Sequence, residues 1–534
     1  YEIRLSLVGS EMCIRDRLGD IVNVCLKNMK SDDKFGILLF VLGLCFTFYL
    51  TYTCFHYIQI WGDEIYTLVM LNSPLSDMIN IGVGDVHPLL YYFMYKAFLK
   101  PVAFLITNYN PIIVGKLLSI IPLYLMLILG ATKIRKNFGW LTAGIFALCI
   151  VCMPQLMNFY TQLRMYSWAL FFVTASFVYI WEIINNESSY KNWGVLILLT
   201  ICSVYTHYFS GIASFILYLF LFVYLIKNNK KDLKKWIFAT VVPILAFMPW
   251  CFILFGQMAR VHSGYWITSL TPDTAIVYLW FVLSPGNKIL NGLPVPYTPP
   301  LLYLILAIIL LIAILSLIVV FIRNKKSFEE KYAVVGMSVI ACVFILGLIA
   351  SLVYRPILHP RYLIPSFGCL WLGISILLSR NFEKKKLFVP IVILLLVVGS
   401  ISTINFEIQQ EKNYQLTLDT TQIINELDGN CNIIMYRGVI DYGINQWLDH
   451  NNHYVGVGYE LDRNLTQLYG RLIDILSDPG VQNEMSHGSK AYYVFENNTK
   501  NTSVFEFNDT DQLKFTEIPN RLNDKMIIYE VQLK

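Results

Sequence analysis

Charge is what this sequence has least of. Only 14% of its 534 residues are charged, against 56% hydrophobic and 15% aromatic, and a formal net charge of +5 is too small to argue for nucleic acid as a partner. Runs such as 36–60, 300–322 and 387–402 are too long and too apolar to face water. They make the chain a polytopic membrane protein, with the lipid bilayer as its solvent. A disulfide framework is missing as well: of eleven cysteines, all but Cys13, Cys25 and Cys431 lie inside apolar runs. Cys149 and Cys152, in "ALCIVCMP", read as two small apolar residues of a helix rather than a redox or zinc pair. Neither a P-loop nor a Rossmann fingerprint is present, so a nucleotide cofactor has no recognisable cradle.

Residues 1–17, "YEIRLSLVGSEMCIRDR", resemble translated sequencing-adapter text and stand outside the fold argument. A natural start at Met29 is expected, and residues 18–35 read as a cytoplasmic N-terminal tail. Spanning helices need about 20 apolar residues, and Lys and Arg collect in cytoplasmic loops. Spans are expected near 36–60, 112–132, 140–158, 165–184, 193–208, 210–226, 236–255, 300–322, 332–353, 361–379 and 387–403, eleven in all. With the N-terminus inside, the basic loops "KIRKN", "KNNKKDLKK", "RNKK" and "SRNFEKKK" all fall on the cytoplasmic side.

Counting residues 88–107 as a further span would put those basic clusters outside, and Lys96, Lys100 and Pro101 interrupt the run. The parity predicts instead an amphipathic helix in the outer interface, within a first outer loop over 62–111. Residues 273–283 are too short to cross and belong to another outer loop. The expected fold is therefore an all-α transmembrane domain over 36–403, followed by a polar α/β domain over 404–534. That domain carries the strand-like runs "CNIIMY", "KAYYVFE" and "KMIIYEVQ", and an odd span count places it outside the cell membrane.

The unusual polar residues sort to that same outer side. Asp63 and Glu64 follow span 1, Asp85 and His87 lie in "GDVHPLLYY", and Arg164 and Tyr166 open span 4. His207 closes span 5, and His359, Arg361 and Tyr362 lead into span 10. Singly, each reads as a headgroup contact or a member of the aromatic belt. Together they are harder to dismiss, because ionisable groups at the hydrocarbon edge are costly unless paired or hydrated, and here they come from five distant segments. Two acids suit glycoside hydrolysis, but the accompanying Arg and His groups are better matched to an anionic phosphate. A phosphate leaving group needs charge stabilisation and no proton donor. One carboxylate then serves as general base for an attacking hydroxyl, and the second orients the acceptor or holds a divalent cation.

The series "GDE", "D-x-H-P-x-L-Y-Y", "Q-x-R-M-Y", "Y-T-H-Y-F" and "H-P-R-Y-L-x-P" resembles the signatures of GT-C fold glycosyltransferases. The similarity, over about residues 36–380, is to the branch of protein O-mannosyltransferases and the aminoarabinose transferase of lipid A. It implies a polyprenyl-phosphate sugar as donor, inversion at the anomeric carbon, and a lipid, glycan or protein acceptor. By the same resemblance Asp63 is the catalytic base and Glu64 its neighbour in positioning. His87, Arg164 and Arg361 stand near the donor phosphate, with Asp85, Tyr166, His207 and Tyr362 in the substrate site. Two departures are visible: Leu89 stands where the family often has a second proline, and Gln162 where it often has an acid. The second leaves out a charge that the resemblance would place where it bears on substrate or metal use. Rival readings from other classes are a lipid-linked sugar flippase or transporter, and a non-catalytic sugar-lipid binding protein; transporters place charges near the midplane of two related halves, and no internal repeat is found here.

Overall fold

The computed structural model describes residues 29–60, 62–107, 109–152, 156–185, 188–263, 267, 271–285, 300–324, 326–429, 431–437, 452–457, 465–496, 509–519 and 526–534. Residues 1–28, with the stretch 1–17, Cys13 and Cys25, lie outside the described residues.

Apolar runs become helices because in lipid a backbone must satisfy its own hydrogen bonds. The first is α1 (Ser31–His56), followed by the loop helices α2 (Gly62–Asn72), α3 (Leu75–Gly84) and α4 (Leu90–Leu105). Then come α5 (Pro111–Phe138), α6 (Trp140–Cys152), the short α7 (Met157–Thr161), α8 (Tyr166–Asn185), α9 (Tyr190–Thr206) and α10 (Tyr208–Asn228). The remainder of the bundle is α11 (Leu233–Ser263), α12 (Pro272–Leu283), α13 (Leu301–Arg323), α14 (Phe328–Val353), α15 (Pro360–Arg380) and α16 (Lys385–Asn425). Among the described residues nine helices are long and apolar enough to cross a membrane: α1, α5, α8, α10, α11 and α13 to α16.

The two other expected spans, 140–158 and 193–208, are α6 and α9, helices of 13 and 17 residues. The shortness of α6 has a packing reason. Every residue from Leu141 to Cys152 is buried, so the helix is surrounded by protein rather than lipid and need not match the bilayer. Its approach to α1 is close enough that a Cβ on Gly144 would lie 2.1 Å from the Gly36 carbonyl oxygen, the small-residue contact by which membrane helices pack.

The segment expected to be an interfacial helix is α4, which buries Tyr91, Tyr92 and Tyr95 on one face while its end, Phe104 to Ile106, is exposed. The last span does not stop near 403. Helix α16 continues unbroken for 41 residues, roughly 60 Å at 1.5 Å per residue, about twice the hydrocarbon thickness. Its far end packs Ile423 and Ile424 against Ile434, Tyr492 and Ile528 of a five-stranded sheet.

That sheet has strands β1 (Ile433–Arg437), β2 (His453–Gly456), β3 (Ala491–Glu496), β4 (Leu513–Glu517) and β5 (Met526–Leu533), in the spatial order β2-β1-β3-β5-β4. β1 pairs parallel to β2 and β3, and β5 pairs antiparallel to β3 and β4. The alternation of a strand puts Ile433 and Met435 on the face opposite Ile434. There they meet α17 (Leu465–Leu476), through Leu468 and Leu472, and Val481 of α18 (Pro479–Ser486). The runs expected to be strands are β1, β3 and β5; β2 and β4 are too short and polar to stand out in sequence.

Candidate active site

Helix α2 follows α1 in the chain and carries the acid pair. Neighbouring residues of a helix point about 100° apart, so the two carboxylates part company. Asp63 Oδ2 meets Arg361 Nη1 at 2.8 Å, with 31% of the Asp63 side chain still exposed. Glu64 is 1% exposed and turns the other way. Its Oε1 pairs with Lys116 Nζ of α5 at 2.7 Å and accepts the Leu163 amide N–H at 2.8 Å. The expectation that the two acids work side by side, one as base and one on the acceptor or a cation, is therefore not what the geometry offers. Both lone-pair directions of Glu64 Oε1 are engaged inside the protein.

Arg164 follows Leu163 at the entrance to α8 and is buried. Its Nη1 donates to Tyr92 Oη at 3.0 Å and to the Asp63 carbonyl at 3.4 Å. Arg361 lies on the first, 3-10 turn of α15, with its guanidinium 5.7 Å from the Tyr166 ring and 5.9 Å from the Tyr362 ring. Beside them the His207 ring lies 5.0 Å from Tyr362, 5.2 Å from His87 and 5.8 Å from Tyr166.

Two of the histidines are helix caps, and this decides their tautomers. Phe209 N–H donates to His207 Nδ1 at the start of α10, and Arg361 N–H donates to His359 Nδ1 at the start of α15. A neutral imidazole that accepts at Nδ1 carries its proton on Nε2, so each presents an N–H donor from the other edge. His207 Nε2, His87 Nδ1, Arg164 Nε and Tyr166 Oη are buried without a hydrogen-bond partner among the described residues. Orphaned polar atoms are rare in a protein interior, and here four fall on neighbouring side chains.

The electrostatics agree with that description. Burial opposes ionisation of Asp63, but the Arg164 and Arg361 charges outweigh it and hold its carboxyl below the usual carboxylate range. Burial pushes the Asp85 carboxyl up, with the Arg164 charge opposing. Burial, with His207, Arg164 and Arg361 nearby, keeps His87 neutral, and burial beside Arg361 brings His359 down to about 3. The fixed positive charge thus comes from two arginines, and the imidazoles contribute neutral dipoles. Among the described residues no group of three His, Cys, Asp or Glu side chains is placed to hold a metal ion.

The fold thus brings Asp63, Asp85, His87, Arg164, Tyr166, His207, Arg361 and Tyr362 to one place. Sequence reasoning missed Lys116, Tyr92 and Thr67. Lys116 did leave a signal: it is the sole charge in the run 112–132, and a charge inside a span needs a partner.

No protein-family model matches the sequence, and no curated protein matches it. Among solved structures the chain is similar to ArnT from Cupriavidus metallidurans bound to undecaprenyl phosphate, with a TM-score of 0.55 and 11% identity over 93% of this chain and 98% of that one. The archaeal oligosaccharyltransferase AglB from Archaeoglobus fulgidus, in complex with an inhibitory peptide and a dolichol-phosphate, gives a TM-score of 0.47 and 12% identity over 88% of this chain and 70% of that one, too low a score to argue from. At such identities a likeness speaks for the fold alone: this chain is a polytopic membrane protein of the GT-C fold with a C-terminal domain.

Proposed function

We propose that the protein is a membrane glycosyltransferase that moves a sugar from a polyprenyl-phosphate donor to an acceptor hydroxyl of a lipid, glycan or protein, on the extracytoplasmic side. The observation that carries this reading is the set of unpartnered donors, with two arginines, gathered around a half-open carboxylate. Arg361 and Arg164 neutralise the phosphate, and the Nε2–H of His207 and the hydroxyl of Tyr166 supply directed hydrogen bonds to its oxygens. The acceptor oxygen attacks the anomeric carbon as the bond to the phosphate oxygen breaks. The electron pair leaves with the polyprenyl phosphate, the hydroxyl proton passes to Asp63, and a single displacement inverts the configuration. Binding of undecaprenyl phosphate by the structurally similar ArnT supports a lipid-linked donor. Hydrolysis by paired carboxylates is disfavoured because Glu64 is locked to Lys116.

The test is incubation of the purified protein with a panel of radiolabelled polyprenyl-phosphate sugars. Release of sugar to water or an acceptor from at least one donor is expected, and donor translocation without release from any would favour a flippase. The outer placement rests on the basic loops and gives a separate expectation. Single cysteines introduced as Lys100→Cys in α4 and Lys514→Cys in β4 should both react with an impermeant thiol reagent added from outside. Labelling of either one from the cytoplasmic side alone would reverse the orientation.

A further inference from the structure

The buried pair Glu64 and Lys116 is not used by the chemistry above, and a buried ion pair is not needed for stability, since apolar residues of similar volume fill such a site at least as well. Its contacts point elsewhere. Glu64 Oε1 holds the Leu163 N–H at 2.8 Å, and Thr67 Oγ1, one turn further along α2, donates to the Leu163 carbonyl at 2.9 Å. The backbone of one residue is therefore gripped at both its N–H and its C=O by the helix that carries Asp63. The next residue is Arg164, which reaches back to the Asp63 carbonyl and Tyr92 and leaves Nε without a partner among the described residues. Residues 162–164 between α7 and α8 stand outside any helix, with a single turn bond from Arg164 N–H to the Gln162 carbonyl at 2.7 Å, so the grip from α2 sets where the guanidinium stands. Lys116, itself 3% exposed, holds the same Glu64 oxygen in place.

We infer that Glu64, backed by Lys116 and assisted by Thr67, is a positioning residue: it presets Arg164 relative to Asp63, so that the phosphate-binding guanidinium and the base are held at a fixed separation before any donor arrives. The inference rests on the proposed donor site and deepens it, because cost-free placement of the arginine is what makes preorganised charge effective.

The experiment uses the full chain in detergent with undecaprenyl phosphate as the titrated ligand. Arg164→Ala comes first: unchanged binding there would sink the donor-site reading itself. Given a loss there, Glu64→Met/Lys116→Met removes both buried charges and the acceptor while keeping the volume, and should weaken binding roughly tenfold, the order of one buried hydrogen bond. Glu64→Gln/Lys116→Met returns a side-chain carbonyl to Leu163 N–H and should recover most of the affinity. In the Arg164→Ala background the methionine pair should cost nothing further, since residues acting through one another are not additive. Should the methionine pair fail to assemble, Thr67→Val, which spares the charges, takes its place, with a several-fold loss that also vanishes without Arg164. Wild-type affinity in these variants, or a loss that simply adds to that of Arg164→Ala, would overturn the positioning role and leave the proposed function standing.

Discussion

Asp63→Asn is expected to lower single-turnover sugar transfer by roughly 10²- to 10⁴-fold, the contribution of a positioned general base, while donor binding is kept or improved. The asymmetry follows from the ion pair. In the free protein Asp63 Oδ2 occupies Arg361 Nη1 at 2.8 Å, so the carboxylate competes with the incoming phosphate for the same guanidinium. Asn has the same shape and can still hydrogen-bond, but it cannot take the acceptor proton and no longer neutralises Arg361. Glu64→Gln should behave differently, since Glu64 touches the Leu163 amide and Lys116 and has no proton to accept from a substrate. A flippase would show no transfer in any form, and a simple headgroup contact would lose little of anything. An Asp63→Asn protein that binds donor and transfers at the wild-type rate would remove Asp63 from the chemistry.

Arg361→Ala should do the opposite, weakening donor binding by roughly 10²- to 10³-fold, as expected when one partner of a buried, hydrogen-bonded charge pair is truncated. Lys should rescue it only in part, because an ammonium lacks the planar fork that meets a phosphate with two parallel N–H groups. Folding should survive, since the Asp63 side chain is 31% exposed and water can solvate it once the arginine is gone. The same variant has a signature in pH. Burial alone would raise the Asp63 carboxyl, and the Arg164 and Arg361 charges bring it below the usual range. The wild-type base is therefore ionised down to the acid side of the ordinary carboxylate range, and the acid limb of kcat/KM, which reports the free enzyme, should lie there. Without Arg361 the burial effect is opposed by Arg164 and His359 alone, and the limb should move to higher pH. In wild type the limb of kcat should also lie above that of kcat/KM, because bound phosphate draws Arg361 away from Asp63. Binding titrations and pH profiles of wild type, Arg361→Ala and Arg361→Lys measure all three effects, and an acid limb unmoved in Arg361→Ala would detach it from Asp63.

Much of this was legible in the sequence for a physical reason: crossing a bilayer demands consecutive apolar residues, which is a local property that a window can read. The placement of acids and bases at the ends of those runs was legible too, because charges at a hydrocarbon edge stand out against their neighbours. What the runs did not disclose was length where protein replaces lipid or water. Helix α6 is short because its neighbours bury it on every side, and α16 is long because its far end docks on the sheet through Ile423 and Ile424. Nor did they disclose direction. The letters "DE" are one step apart in the chain, but the rotation of α2 sends Asp63 to Arg361, 298 positions away, and Glu64 to Lys116, 52 positions away. Composition and spacing alone therefore determined that the chain crosses a membrane many times and which residue types stand at the ends of its apolar runs. Only tertiary packing decided which carboxylate stands open and which is locked, because a side chain's partner is set by how its helix is turned against helices that the sequence places far away.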